Sequence, residues 1–173
     1  MSAEDLRARI REIPDFPKPG ILFYDITTLL KDRAAYREAI DLMTDPHRGS
    51  GVDVVVGMES RGFIFSAPIA YQLNAGLVPV RKLGKLPAET IAVEYALEYG
   101  SNTLEIHRDA IEPGQKVLVV DDLLATGGTV HGTLELVEKL GGVVVGVGFL
   151  VELRFLNGRS RLDGRRVTSV IEY

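Results

Sequence analysis

The stretch Val117-Leu-Val-Val-Asp-Asp-Leu-Leu-Ala-Thr-Gly-Gly-Thr129 decides the fold, and its two halves pull in opposite chemical directions. It begins with four successive aliphatic residues, without polar alternation, as a strand buried on both faces of a parallel sheet requires. It ends in Ala125-Thr-Gly-Gly-Thr129, whose composition suits a turn that cradles phosphate. Gly127 and Gly128 let the backbone approach an anion, Thr126 and Thr129 add hydroxyl donors, and a helix starting there aims unpaired amides at the same anion. Between strand and turn stand Asp121 and Asp122, which repel phosphate. In open α/β sheets ligands gather beyond the carboxyl ends of the strands, so acids and turn are expected at one edge.

The turn lacks the Gly-Lys-Ser/Thr ending of a Walker loop, which points to a phosphate monoester and away from a polyphosphate. The carboxylates then need donors, and the nearest donors on a sugar phosphate are ribose hydroxyls. A ribose 5-phosphate unit answers both halves. Strand alternation would send Asp121 and Asp122 to opposite faces. Either the chain turns between them, or only one touches the ribose directly.

Further apolar runs, Val52–Gly57 and Gly142–Val151, read as strands of the same sheet. Leu77–Val80 is a fourth, with Pro79 arguing against a central position, and Val167–Ile171 is an edge strand. Helical periodicity appears from an Asp32 cap to about Met43, from Phe63 to Leu73, and from Gly128 to Leu140. Ile91–Ile106 breaks the alternation and reads as an antiparallel hairpin or flap outside the main sheet. The first ~28 residues, with Pro14, Pro17, Pro19 and Gly20, are expected to be largely irregular. The whole predicts an α/β fold with an open, mainly parallel sheet flanked by helices, as a single domain over residues 1–173.

The 46% hydrophobic and 25% charged content suits a soluble protein, and no apolar run approaches the ~20 residues of a membrane span. With no cysteine there is no disulfide or thiolate metal site, and a formal charge of −4 argues against nucleic-acid binding. A cytoplasmic location is expected. His47, His107 and His131 are scattered, without carboxylates at ligand spacing, so no direct protein metal site is expected. Arg81-Lys-Leu-Gly-Lys85 concentrates cations after a strand and invites an anionic ligand.

Residues 117–129 resemble the phosphoribosyl-pyrophosphate motif of the type I phosphoribosyltransferases. Phe16-Pro-Lys-Pro-Gly-Ile-Leu-Phe23, Glu59-Ser-Arg-Gly-Phe63, Val80-Arg-Lys-Leu-Gly-Lys-Leu-Pro87 and Leu97-Glu-Tyr-Gly100 narrow the resemblance to the adenine-specific family, from about Ile13 to Gly158. The resemblance implies the type I fold, with an N-terminal base-binding hood over about 1–30 and a flexible flap over about 82–106. It implies conversion of adenine and phosphoribosyl pyrophosphate to AMP and pyrophosphate, with Mg²⁺ held mainly by the substrate, in a homodimer. The ribose phosphate would meet Asp121, Asp122, Ala125, Thr126, Gly127, Gly128 and Thr129. The pyrophosphate would meet Ser60, Arg61, Gly62, Arg81, Lys82 and Lys85, with a cis peptide at Glu59–Ser60 and Arg81 reaching into the neighbouring subunit's site. Adenine would lie on Phe23 and be read by backbone groups of Leu22 and Tyr24. Glu98, on the flap beside Tyr99, would carry the proton, with Arg61 as its catalytic companion.

In one place the chain departs from the family's Phe-Arg-Asp-Ile-Thr-Pro pattern, carrying Tyr24 and Thr28 for the arginine and proline. If a charge mattered at position 24, base affinity would change. Two other readings compete: a xanthine- or guanine-type transferase, and a non-catalytic regulator that senses phosphoribosyl pyrophosphate. The Leu-Glu-Tyr-Gly and Ile-Leu-Phe segments argue against the first, Glu98 and the cationic loop against the second.

Overall fold

The computed structural model describes residues 1–96, 100–162 and 164–173. The N-terminal part contains α1 (Ala3–Arg7), β1 (Arg11–Ile13), β2 (Phe23–Asp25), α2 (Thr27–Leu30) and α3 (Arg33–Thr44). Then come β3 (Val54–Met58), α4 (Gly62–Leu73), β4 (Gly76–Lys82), β5 (Thr90–Ala96) and β6 (Ser101–His107). The chain continues through β7 (Lys116–Leu124), α5 (Gly128–Lys139), β8 (Val143–Glu152) and β9 (Val167–Glu172).

Seven strands form one sheet in the order β5-β6-β4-β3-β7-β8-β9, and β1 pairs with β2 in a separate two-stranded sheet. Strands β4, β3, β7, β8 and β9 run parallel to one another, as the unbroken apolar runs require. Alternation along them divides the core. Val55, Leu118 and Val120 join the cluster formed with α3 and α4, while Val54, Val56, Val117 and Val119 join the one formed with α5. Asp32 caps α3 as expected, accepting from the amides of Ala34 and Ala35.

Four expectations need correction. The β5–β6 hairpin is not outside the main sheet: β6 joins β4 antiparallel through Arg81↔Glu105 and Lys82↔Leu104. Nor does Pro79 keep β4 from an interior position, between β6 and β3, and the short junction explains why. Pro79 pairs with Gly57 on one side, and the other edge of β4 acquires its partner only at Arg81, beyond the proline. The first 28 residues are more regular than their prolines suggest. Ser2 and Asp5 form a reciprocal capping box on α1, and Ile13 pairs with Phe23. Finally, β7 does not stop before the acids. Its ladder with β8 continues from Asp121↔Phe149 to Leu124↔Glu152, so both carboxylates stand on strand. No helix among the described residues is long and apolar enough to cross a membrane.

His47 lies in the turn after α3, 1% exposed, with Nε2 facing the Thr168 hydroxyl at 3.2 Å and Nδ1 without a partner among the described residues. Burial, reinforced by the Arg166 charge, pushes its pKa down from 6.5 to about 4. The folded state therefore takes up this proton less readily than the unfolded chain. Its stabilising effect is complete above about pH 6.5 and is lost progressively as pH falls toward 4, by up to about 3 kcal/mol. Thermal melts of wild type and His47→Gln across that window test this: the wild-type melting temperature should fall more steeply, and parallel curves would refute it.

Candidate active site

Two loops meet at the carboxyl edge of the central strands. Where β3 passes into α4, Gly57 lets the helix press onto the strand, since a β-carbon there would stand 2.1 Å from Ser66 Oγ. The helix start is equally close to β7: a β-carbon on Gly62 would lie 2.8 Å from Asp121 Oδ1. The intervening Glu59–Ser60 peptide is cis, as anticipated. Arg61 meets Asp122, donating from Nε to Oδ2 at 2.6 Å. Its guanidinium carbon lies 5.9 Å from the centroid of Phe23, linking the main sheet to the two-stranded sheet.

The two aspartates differ in environment. Asp122 is 7% exposed and neutralised by Arg61, while its backbone N–H donates to Asp121 Oδ1 at 2.8 Å. Asp121 is half-buried, and burial, followed by the negative charge of Asp122, holds its carboxyl well above the usual carboxylate range. Glu59 is held below that range by Arg81, whose Nη2 and Nε donate to it at 3.0 and 3.3 Å, and by the Lys82 amide at 3.0 Å.

Three adjoining cavities result. One of about 160 Å³ is mainly apolar, walled by Leu22, Phe23, Tyr24, Val151 and Leu153, with Arg61 and Asp122 at its edge. The central one, about 360 Å³, is polar and bounded by Glu59, Ser60, Arg61, Lys82, Asp121, Asp122 and Thr129. The third, about 70 Å³, is enclosed by Asp121 and the turn from Ala125 to Thr129. Asp122 is common to the first and second, Asp121 to the second and third. The two aspartates thus line different outer cavities, and both line the middle one. In the turn, Gly127 has φ +86°, and α5 starts at Gly128.

Tyr24 stacks on Tyr173 with ring centroids 3.9 Å apart, and Arg7 lies 4.3 Å over the Tyr173 ring. An aromatic ring replaces charge at this position with packing. Thr28 donates its hydroxyl to the Arg9 carbonyl at 2.6 Å, a tie that proline could not make.

The profile of the phosphoribosyl transferase domain family matches residues 25–169. The chain is 57% identical over 173 residues to an adenine phosphoribosyltransferase of Acidobacterium capsulatum, covering all of this chain and 96% of that protein. Identity to the adenine phosphoribosyltransferase of Desulfitobacterium hafniense is 58% over 173 residues, the full length of both. The crystal structure of the Thermoanaerobacter pseudethanolicus enzyme superposes with a TM-score of 0.96 at 53% identity, covering 99% of this chain and 100% of that one. The chain belongs to the adenine phosphoribosyltransferase family. A Saccharomyces cerevisiae member, solved with adenine and an imino-altritol bisphosphate, superposes with a TM-score of 0.92 at 39% identity over 97% of both chains.

Against this family background, the structure unites Ser60, Arg61, Gly62, Asp121, Asp122 and the Ala125–Thr129 turn at one edge, with Leu22, Phe23 and Tyr24 facing them across the apolar cavity. Arg81 is paired within its own chain to Glu59, and among the described residues neither it nor Lys85 walls the central cavity. Glu98 and Tyr99 lie outside the described residues. Sequence reading missed Leu123, Val151 and Leu153, which wall the base-sized cavity. The apolar run through Val151 was legible, but not that Val151 and the nearby Leu153 line a cavity.

Proposed function

We infer that the chain transfers the phosphoribosyl group of phosphoribosyl pyrophosphate to adenine, giving AMP and pyrophosphate in purine salvage. The observation that carries this reading is the series of an apolar cavity, a polar cavity bearing two carboxylates, and a glycine-threonine turn, in the order base, ribose, phosphate.

In this reading adenine lies against Phe23, and backbone groups of Leu22 and Tyr24 pair with its amino edge. A keto group would reverse that donor pattern, which favours adenine over oxopurines. Asp121 and Asp122 accept from the ribose hydroxyls, and their charge suits an oxocarbenium-like transition state. Ala125, Thr126, Gly127, Gly128 and Thr129 hold the 5-phosphate. Ser60, Arg61, Gly62 and Lys82 take the pyrophosphate, with Arg81 and Lys85 completing that site. Supplying Arg81 to a neighbouring subunit requires release of its pair with Glu59.

The base nitrogen forms its bond to the anomeric carbon as the carbon–oxygen bond to pyrophosphate breaks. Glu98, with Tyr99 beside it on a flap spanning about 82–106, carries the proton involved, and the hood over about 1–30 closes the base side. Mg²⁺, when bound, would supply charge neutralisation for the leaving pyrophosphate beside Asp121 and Asp122. The donor set supports its being held mainly by substrate, because Asp122 and Glu59 are already engaged by Arg61 and Arg81. The working form is a cytoplasmic homodimer of this single domain.

Incubation with Mg²⁺, phosphoribosyl pyrophosphate and a purine panel tests the reading. AMP should form from adenine with a preference over hypoxanthine, guanine and xanthine on the order of 10³-fold or more. Product from xanthine or guanine alone would move the chain to a sister specificity. No nucleotide from any base, with phosphoribosyl pyrophosphate still bound, would make it a sensor.

A further inference from the structure

The 3₁₀ segment Gly158–Leu162 lies directly against the glycine-threonine turn. A β-carbon on Gly158 would stand 2.2 Å from the Ala125 carbonyl oxygen and 3.1 Å from the Gly127 nitrogen. The contact is reciprocal, for a β-carbon on Gly127 would stand 2.7 Å from the Gly158 carbonyl oxygen. Two backbones touch here with no side chain between them. Gly158 is required for this proximity, whereas Gly127 also needs its positive φ.

The segment is held from both ends. Arg159 Nε donates to Glu152 Oε1 at 3.0 Å and Nη1 to the Val167 carbonyl at 3.1 Å, while Nη2 reaches Glu152 Oε2 and the Ser169 hydroxyl. Glu152 is 2% exposed at the end of β8, so this ion pair ties the segment to β8 and β9 together. At the other end Leu162 is buried in the core.

Between these anchors Arg161 is exposed, with Cδ 3.4 Å from the place a β-carbon on Gly127 would take. It has no hydrogen bond or ion pair with any described residue. The turn from Ala125 to Thr129 contains no basic side chain, although a phosphate monoester carries close to two negative charges at neutral pH. A cation beside the turn is therefore the complement its ligand lacks.

We propose that Gly158–Leu162 is the outer wall of the 5-phosphate site, in which Arg161 binds the phosphate and Gly158, positioned by the Glu152–Arg159 pair, sets the backbone of the turn. The proposal rests on the reading that this turn takes the 5-phosphate of the substrate.

Titration calorimetry with ribose 5-phosphate, and separately with adenine, tests it on wild type, Thr129→Ala, Gly158→Ala, Arg161→Ala and Arg161→Lys. Arg161→Ala should weaken ribose 5-phosphate roughly tenfold, the worth of a charge-assisted hydrogen bond. The deficit should shrink as salt rises toward about 0.5 M, and Arg161→Lys should recover part of it. Gly158→Ala should weaken the sugar phosphate at least as much, because the added methyl must displace the Ala125 carbonyl. Adenine affinity should stay within about twofold in both, as its cavity is separate. Glu152→Gln should shift sugar-phosphate affinity in the same direction; should it fail to fold, the exposed Arg161 variants still decide the matter. Unchanged affinity in Arg161→Ala, or an equal loss for adenine, overturns the proposal. If Thr129→Ala weakens ribose 5-phosphate while Arg161→Ala and Gly158→Ala do not, the wall proposal alone falls. If wild type does not bind ribose 5-phosphate, the reading of the turn falls with it.

Discussion

Asp122→Ala lowers kcat/KM for phosphoribosyl pyrophosphate by roughly 10²–10³-fold in the outcome we expect, through both weaker binding and slower turnover. Asp122 is the wall shared by the apolar and central cavities, and it holds Arg61 at 2.6 Å. Removing it deprives the ribose of an acceptor and frees the arginine intended for the leaving group. The fold should survive, because Arg61 is 48% exposed and can hydrate once released. Asp122→Asn offers a second readout. The carboxyl of Asp121 is raised first by burial and then by the charge of Asp122. Removing that charge makes Asp121 ionise at lower pH, so the acid limb of the rate profile should move down the pH scale. Steady-state kinetics across pH would check both effects; an unaltered kcat/KM in Asp122→Ala would exclude the carboxylate from the site.

Glu98→Gln should lower kcat by about 10²–10³-fold, as loss of a positioned proton carrier does, while affinity for ribose 5-phosphate stays within about twofold. The contrast with Asp122→Ala is one of kind under the proposed function, in which Glu98 serves the base and Asp122 the sugar. Stopped-flow and steady-state rates, combined with calorimetry, separate the two. A full rate in Glu98→Gln would leave the proton to another group or to water.

The main sheet was legible because its central strands are apolar at successive positions, a pattern that only burial on both faces explains. That the carboxylates and the glycine-threonine turn share one edge was legible for a different reason, since they are contiguous between Asp121 and Thr129. What escaped was whatever depends on distant segments meeting. Nothing local to Gly158 marks it as the neighbour of Gly127, because the contact exists only once β7 and β8 are paired. The attachment of β6 to β4 was hidden similarly, resting on only Arg81↔Glu105 and Lys82↔Leu104. The intramolecular hold of Glu59 on Arg81 could not be read either, since 22 residues separate them and charge pattern alone does not assign partners. Helix α1 is the exception: its capping box, Ser2-Ala-Glu-Asp5, is a purely local signal.

The pairing of β3 with β7 has a consequence for how the protein acquires activity. Val54 lies beside Val117, and the Arg61–Asp122 ion pair closes a loop of similar span. Parallel neighbours so far apart in sequence form late and slowly, because chain entropy must be given up before the contacts reward it. The complete site, in which Arg61 from the β3 side meets Asp122 on β7, cannot therefore assemble before these strands pair. During refolding the sugar-phosphate site should emerge in step with the central sheet, with no partly competent species ahead of it.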